Sequence, residues 1–517
     1  MSPRVAAAFH LLPEYLGWHV ALSFAALSLG VAISLPLAVA ASRSPRLRWP
    51  LLAAASLIQT IPSLALLALF YPLLLALSLL TKAALGHGFS ALGFLPSLLA
   101  LTLYSMLPIL RNGAAGILGV DPAIREAADG VGMTSRQKLL QVELPLAAPV
   151  IMAGVRTAAV WTIGAATLST PVGQTSLGNY IFAGLQTENW VYVLFGCAAS
   201  AVLALVADQL LGLIEAGARR RSGWLAATGL LALLVGVAAA TAPLALAGRG
   251  GSYVIGAKNF SEQYILAELM ADRLEAKGVK VARKEDLGSA VAYRALAAGE
   301  LDAYVDYSGT LWTNVLQRKD NPGRAAVLAT LTSELKRRDG VVVLGSLGFE
   351  NAYAFVMRPD RAAALRIASI ADLAREAPRL GLGSDLEFLS RPEWKAVQAA
   401  YGLQFKSQRS YQPTFMYRAL MGGDADVISA FSSDGRIAAD KLVVLSDPKA
   451  AIPPYDAVVL ISPRRAGDAR LLAALKPLIG KIPVEAMRAA NYSVDRDQQK
   501  LSPAEAAKAL ETRLTSP

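Results

Sequence analysis

The 517-residue sequence holds a single cysteine, Cys197, and three histidines, His10, His19 and His87. One cysteine rules out an intrachain disulfide and any cysteine-clustered zinc site. All three histidines fall in the first half, so the second half offers neither a histidine base nor a histidine ligand. No G-x-x-x-x-G-K-[ST] phosphate loop occurs anywhere in the chain. ATP hydrolysis by the chain itself is therefore not expected, nor are a catalytic residue, a cofactor or a metal.

Charge is scarce as well, and unevenly so. Residues 1–251 contain 14 Lys/Arg and 8 Asp/Glu, leaving 36 of the 50 basic and 31 of the 39 acidic residues for 252–517. The first half is charge-poor in the manner of a membrane domain, and the second has the charge density of a soluble globular one. The net charge of +11 divides into +6 and +5 by these counts, with acids interspersed throughout. No concentrated basic surface is left for nucleic acid, which is not expected as a partner.

Long apolar runs fill the first half. A span needs roughly 20 such residues, and six are expected, over 17–41, 50–80, 90–110, 150–171, 190–216 and 224–247. Pro62 and Pro72 break the second; Pro96 and Pro108 lie in the third, tolerable where neighbouring helices satisfy the freed carbonyls. The loops after spans one, three and five carry ten Lys/Arg between them, and the opposite loops only Arg4 and Lys82. This bias places the N-terminus outside and, after six spans, residue 252 outside too.

The cytoplasmic stretch EAADGVGMTSRQKLLQVELP, Glu126 to Pro145, interrupts this hydrocarbon pattern with Glu126, Asp129, Arg136, Lys138 and Glu143. Asp121-Pro122 offers an N-cap with proline at the first helical position. Gly130 and Gly132 break that helix, Thr134 or Ser135 caps a second, and Leu144-Pro145 is expected to end it. Composition alone gives such a loop no function. Its spacing, Glu126-Ala127-Ala128, Gly132, Val142, Leu144-Pro145, resembles the coupling loop of the transmembrane subunits of ABC importers, with Val142 in place of the usual isoleucine. The resemblance implies a docking segment, 121–149, for a separate ATPase subunit, and a pairing of two copies of the chain, since six spans form half a translocation path.

The segment from Arg219 to Gly248 has two readings. Its basic start, apolar run and Ala245-Leu246-Ala247 look like a cleavable secretory signal, and its 23 or so apolar residues are also enough for a sixth span. Span length favours retention, with GRGGS (248–252) as a flexible linker. The expected domains are then 1–222 (five spans and the coupling loop), 223–251 (sixth helix and linker) and 252–517 (an exported domain).

From Tyr253 onward short β-branched runs alternate with amphipathic helical stretches, an α/β pattern compatible with two lobes. Crossings between lobes are expected near Phe355–Arg358 and Tyr455–Leu460. Six stretches stand out: Lys258-Asn259-Phe260-Ser261-Glu262-Gln263, Tyr304 to Thr310, Phe349 to Tyr353, Glu387 to Arg391, Phe431 to Gly435, and Pro453-Pro454-Tyr455. In this order and spacing they resemble the substrate-binding proteins of the glycine betaine, carnitine and choline uptake family, over nearly all of 253–510. The fold implied is an all-α six-span permease of the ABC importer type I class, fused to an α/β two-lobed periplasmic-binding-protein domain of type II-like topology. It implies a bacterial cytoplasmic membrane protein whose C-terminal domain lies on the periplasmic or extracellular side.

A quaternary ammonium neither donates nor accepts a hydrogen bond, so aromatic faces hold it through their quadrupoles. The resemblance assigns that cage to Tyr307, Tyr353, Phe431 and Tyr455; Phe431 stands where a tyrosine is usual. It assigns Lys258, Arg391 and Thr310 to the ligand's carboxylate or hydroxyl end, with Gln263 and Asn351 as neutral donors. Taken singly, the rings read equally as core and Lys258 or Arg391 as surface charge. Asp434 reads as the cap of a helix starting near Gly435. The function implied is ATP-driven import of glycine betaine, choline or carnitine. A larger betaine such as ergothioneine, or a membrane-anchored sensor, are the rival readings.

Overall fold

The computed structural model describes residues 3–86, 88–187, 189–246, 253–318, 320–385, 387–411, 413–496 and 498–515. His87, the cleavage position at Ala247 and the linker 248–252 lie outside the described residues. The chain forms two compact units, Met1–Phe182 with Trp190–Arg249, and Ala183–Asn189 with Gly250–Pro517.

In the first unit six helices among the described residues are long and apolar enough to cross a membrane: Ala8–Arg43, Ser63–Leu85, Phe94–Leu118, Ser135–Val172, Trp190–Arg219 and Gly223–Ala245. They follow the expected order. The second expected span divides into helices Pro45–Thr60 and Ser63–Leu85, because the residue before Pro62 is pushed out of the α region: Ile61 is extended, with φ −71° and ψ 126°. Its carbonyl accepts from the Tyr104 hydroxyl, which satisfies an oxygen that hydrocarbon would leave bare. Pro72, by contrast, stays inside its helix.

The charged segment between the third and fourth apolar helices folds largely as its residues dictate. Asp121 accepts from the Ala123 N–H at 2.9 Å and starts helix Pro122–Gly130. Gly132 follows at φ +79°, a region that glycine enters without strain. Thr134 and Gln137 then form a capping box over Ser135–Lys138. The expectation that Leu144-Pro145 ends this second helix is wrong. A π-turn over Leu139–Glu143 leads directly into helix Leu144–Ala166. The wider turn absorbs the missing Pro145 N–H and relieves the ring's clash with the preceding turn, so the chain continues without a break. Glu143, fully buried in that turn, is paired with Arg43 from the end of the first helix and lies 3.7 Å from Arg125.

The second unit carries two five-stranded sheets. Its strands are β1 (Tyr253–Lys258), β2 (Val281–Leu287), β3 (Ala303–Tyr307), β4 (Val342–Glu350), β5 (Tyr353–Met357), β6 (Gly381–Ser384), β7 (Ser407–Ser410), β8 (Val427–Phe431), β9 (Val443–Val444) and β10 (Asp456–Ile461). Their orders are β2-β1-β3-β10-β4 and β7-β6-β8-β5-β9. β3, β5 and β10 are buried along their whole length, as expected of strands covered on both faces. The chain passes to the second sheet at Asn351-Ala352 and returns between Val444 and Asp456. Phe355–Arg358 is therefore not a crossing, since all but Arg358 lie in β5; of Tyr455–Leu460, only Tyr455 precedes its strand. The two crossings are tied together by the Asn351 N–H, which donates to the Tyr455 carbonyl at 2.9 Å.

A bulge between β1 and β2 puts Asp286 at φ +62° and buries its carboxyl beneath the Tyr264 hydroxyl, which donates to it. Burial pushes that carboxyl up to about 7. The folded form thus holds the proton more tightly than the unfolded chain does. Its contribution is fully present below about pH 4 and is lost as pH rises through about 7, an amount on the order of 4 kcal/mol. Asp286→Asn keeps an acceptor for Tyr264 and should flatten this dependence. Chemical unfolding of the second unit at pH 5 and pH 8 checks it; an unchanged pH slope in the variant would refute the assignment.

Candidate functional site

The cleft between the two sheets collects the ends of their strands, where open α/β sheets present ligand sites. Lys258 ends β1 and Tyr307 ends β3; Phe431 ends β8, while Tyr353 opens β5 and Tyr455 immediately precedes β10. Arg391 precedes helix Pro392–Tyr401, and Asn351 sits in the crossing itself. These residues and Thr310 line a cavity of about 220 Å³. Eight of the nine residues expected at the binding site are thereby brought together. Gln263 is the exception: it does not line the cavity, but stands behind Tyr307 and donates to its hydroxyl at 3.0 Å.

The rings form a connected wall. Tyr353 packs against Phe431 at 5.1 Å and meets Tyr455 edge-on at 5.8 Å and 89°. Phe260, which the sequence reading did not place in the cage, stacks on Phe431 at 6.4 Å and 5° and on Tyr307 at 6.0 Å. Tyr307 donates to Glu262 at 2.6 Å, and Tyr455 donates to Glu393. Burial raises the hydroxyls of Tyr307, Tyr353 and Tyr455 well above the ordinary tyrosine range, so all three are neutral. Neutral phenols keep the electron-rich faces that attract a cation.

The cationic side chains are already engaged. Lys258 is ion-paired with Asp306 and lies 5.0 Å from the Tyr307 ring centre. Arg391 contacts Glu393 at 3.1 Å, Glu387 at 3.2 Å, the Tyr455 hydroxyl at 3.3 Å and the Thr310 hydroxyl at 3.4 Å. Asp434 caps helix Gly435–Ala439, accepting from the Arg436 N–H at 2.9 Å, as its position suggests, and also lines the cavity.

Sequence reasoning missed Glu262, Asp385, Glu393 and Asn491 as well as Phe260. Phe260 and Glu262 stand inside the motif that names Lys258, so proximity was a usable signal. Asn491, on helix Val484–Asp495, reaches Glu262 across 229 residues at 2.8 Å, and no local pattern marks it.

The six expected coupling residues lie in the first unit. Glu126 and Ala127 are exposed, Ala128 is buried, Gly132 and Pro145 are exposed and Leu144 is half-buried. Around them Ile124, Val131 and Leu140 present apolar side chains to the outside.

Comparison with known proteins fits both units. The family described as the substrate binding domain of ABC-type glycine betaine transport system matches residues 251–510, half of the chain. The binding-protein-dependent transport system inner membrane component family matches 30–220. The chain is similar to the ergothioneine transport permease/ergothioneine binding protein EgtU of Helicobacter pylori (strain G27), 29% identical over 466 residues, covering 86% of this chain and 80% of that protein. The choline transport system permease protein OpuBB of Bacillus subtilis (strain 168) is 41% identical over 197 residues, covering 38% of this chain and 83% of OpuBB. A crystal structure of a glycine betaine/carnitine/choline ABC transporter is 28% identical, covers 51% of this chain and 98% of that one, and superposes with a TM-score of 0.45.

One glycine fixes a wall of the site. A Cβ on Gly309 would fall 2.5 Å from the Tyr455 ring, so only glycine lets that ring lie against the backbone. Gly309→Ala should displace Tyr455 at a cost of about 1–3 kcal/mol, weakening ligand binding roughly ten- to a hundredfold. Titration calorimetry checks this. Unchanged affinity in a folded variant would mean that Tyr455 is no part of the wall.

Proposed function

The chain belongs to the substrate-binding family of ABC-type glycine betaine transport systems, joined to a multi-pass inner-membrane transport component; from that premise we propose that it is the fused permease and substrate-binding subunit of an ATP-driven importer for small quaternary-ammonium compounds. The domains are 1–222 for the permease, 223–251 for a sixth helix and linker that tether, and 252–517 for the extracytoplasmic receptor. Two copies pair through their spans, and a separate ATPase grips 121–149 on each. Ligand captured in the cleft passes to the paired spans, and the ATPase stroke releases it inward.

The observation that carries this reading is the wall of five rings, Phe260, Tyr307, Tyr353, Phe431 and Tyr455, with a carboxylate beside two of them. A trimethylammonium group is attracted by ring faces, and the two cations beside those rings, Lys258 and Arg391, are ion-paired with Asp306 and Glu393. Lys258, Arg391 and Thr310 are the groups for the ligand's carboxylate or hydroxyl end, with Asn351 as a neutral donor in the cleft and Gln263 bracing Tyr307 from behind. Ergothioneine is the second reading. It is favoured by the similarity to EgtU, which runs through both units at once where the OpuBB similarity covers only the first.

Titration calorimetry of the chain with glycine betaine, choline, carnitine, proline betaine and ergothioneine tests the proposal. At least one should bind in the micromolar range, and Tyr307→Ala should weaken it at least about tenfold, as expected when a desolvated cation–π wall is removed. Silence across the panel, or saturable binding only of a ligand without a quaternary nitrogen, would overturn the assignment.

A further inference from the structure

The first unit holds a cluster of charge that the receptor cleft does not account for. Along helix Leu144–Ala166, Ala153, Thr157, Val160, Trp161 and Gly164 are exposed at helical spacing. This stripe differs from the exposed faces of two other spanning helices. Helix Ser63–Leu85 presents Leu64, Leu69, Leu73, Leu77 and Leu80, and helix Gly223–Leu246 presents Leu230, Leu231, Leu234 and Val235. Bulky aliphatic side chains of that kind suit hydrocarbon. A stripe with an alanine, a threonine and a glycine offers lipid little, and a Cβ on Gly164 would meet nothing within 4 Å.

Arg156 borders the stripe and reaches across to helix Trp190–Arg219. Its guanidinium meets Asp208 through two nitrogens, at 2.9 and 2.8 Å, and Glu215 at 2.7 Å. Asp208, Gly212 and Glu215 share one face of that helix. A Cβ on Gly212 would touch the guanidinium carbon at 3.4 Å, so the cation lies over the glycine between the two acids. One cation against two carboxylates leaves a net charge of −1. All three side chains stay partly exposed. With Ala153, Thr157, Val160 and Trp161 they line a cavity of about 440 Å³. Roughly 16 Å of helix separates Asp208 from the Arg219 end. At that depth a partly exposed ionic network faces water or protein rather than hydrocarbon.

Resting on the importer reading, we infer that this network is a second ligand site: a wet, cation-attracting station on the translocation path, which the quaternary ammonium occupies after it leaves the receptor. The surplus negative charge draws the cationic head, and the Trp161 ring offers it a face. Arg156 already holds both carboxylates by hydrogen bonds, so the attraction is partial. A site of passage needs that balance, favourable enough to enter and weak enough to leave.

The test is the rate at which two methanethiosulfonate reagents, one bearing a trimethylammonium group and one a sulfonate, modify a single cysteine. The full chain is used in nanodiscs, with Cys197→Ser and either Thr157→Cys or Ala153→Cys. Relative to a free thiol, the trimethylammonium reagent should react several-fold faster than the sulfonate, and excess tetramethylammonium should slow it. Glu215→Gln removes the surplus charge at constant size and should cut that preference roughly tenfold. A merely loosened fold would speed both reagents alike and leave the preference unmoved, which would overturn the role of the network. Cysteines at 153 and 157 reacting no faster than Leu73→Cys would show the face to be dry and overturn the site. The readout uses neither the ATPase nor the cleft, so its failure is distinct from silence in the ligand titrations, which would remove the importer reading and this inference with it.

Discussion

The binding cleft depends on one buried carboxylate. Glu393, in the first turn of helix Pro392–Tyr401, accepts from Tyr455 and from Arg391, and from the Thr313 hydroxyl at 3.3 Å. Tyr455 and Thr313 belong to the half built on the first sheet, and Glu393 and Arg391 to the other. An isolated anion in such a place is costly, and only several converging donors make it tolerable. Their convergence fixes three things at once: the edge-on contact of Tyr455 with Tyr353, the guanidinium 5.4 Å from the Tyr353 ring centre, and the closeness of the two halves at the cleft floor. Gly309 then follows as a consequence, because a ring pinned at its hydroxyl leaves no room for a side chain beneath its edge.

The same rule, that a charge withdrawn from water must be matched, organises the membrane unit. Arg156 in helix Leu144–Ala166 meets Asp208 at 2.8 Å and Glu215 at 2.7 Å, both on helix Trp190–Arg219. Ionisable groups are rare within spans and persist where they find one another. Glu143 matches Arg43 and lies near Arg125 in the same spirit, but at a joint. It lies in the π-turn between the charged segment and a spanning helix, and its partners come from the first spanning helix and the short helix Pro122–Gly130. A turn that would otherwise be the weakest point of a long helix is thereby tied to two other elements.

How much of this was legible in the sequence follows from the range of the interactions involved. Spans, caps and turns are local, and the six apolar runs, the Asp121-Pro122 cap, the Gly132 turn and the Asp434 cap could each be read within a few residues. Leu144-Pro145 misled because proline usually ends a helix, and the π-turn that excuses it has no distinctive sequence of its own. The crossings were misplaced by a few residues because β5 and β10 begin immediately after them, so the apolar runs that drew the eye are the strands themselves, while the turn residues Asn351 and Pro453-Pro454 just before them mark the change of sheet. The cage rings were found through motif resemblance, since four aromatics in a soluble domain carry no such meaning by composition. What holds those rings was not legible: Glu393 to Tyr455 spans 62 residues, and Glu262 to Asn491 spans 229.

Phe431 shows why that second layer matters for interpreting a departure from a family pattern. A tyrosine in the cage is oriented at its hydroxyl, as Tyr307 is by Glu262 and Gln263, and Tyr455 by Glu393 and Arg391. A phenylalanine has no such handle, and on that ground alone Phe431 looks like the loose wall. Its faces are occupied instead, with Phe260 parallel to it at 6.4 Å and Tyr353 tilted against it at 5.1 Å. Offset and tilted ring pairs of this kind are worth about 0.5–1.5 kcal/mol beyond the area they bury, comparable to a single neutral hydrogen bond. Ring contacts of that size offset the hydrogen bond that phenylalanine cannot make, and Phe260 and Tyr353 hold the ring at position 431 by its faces.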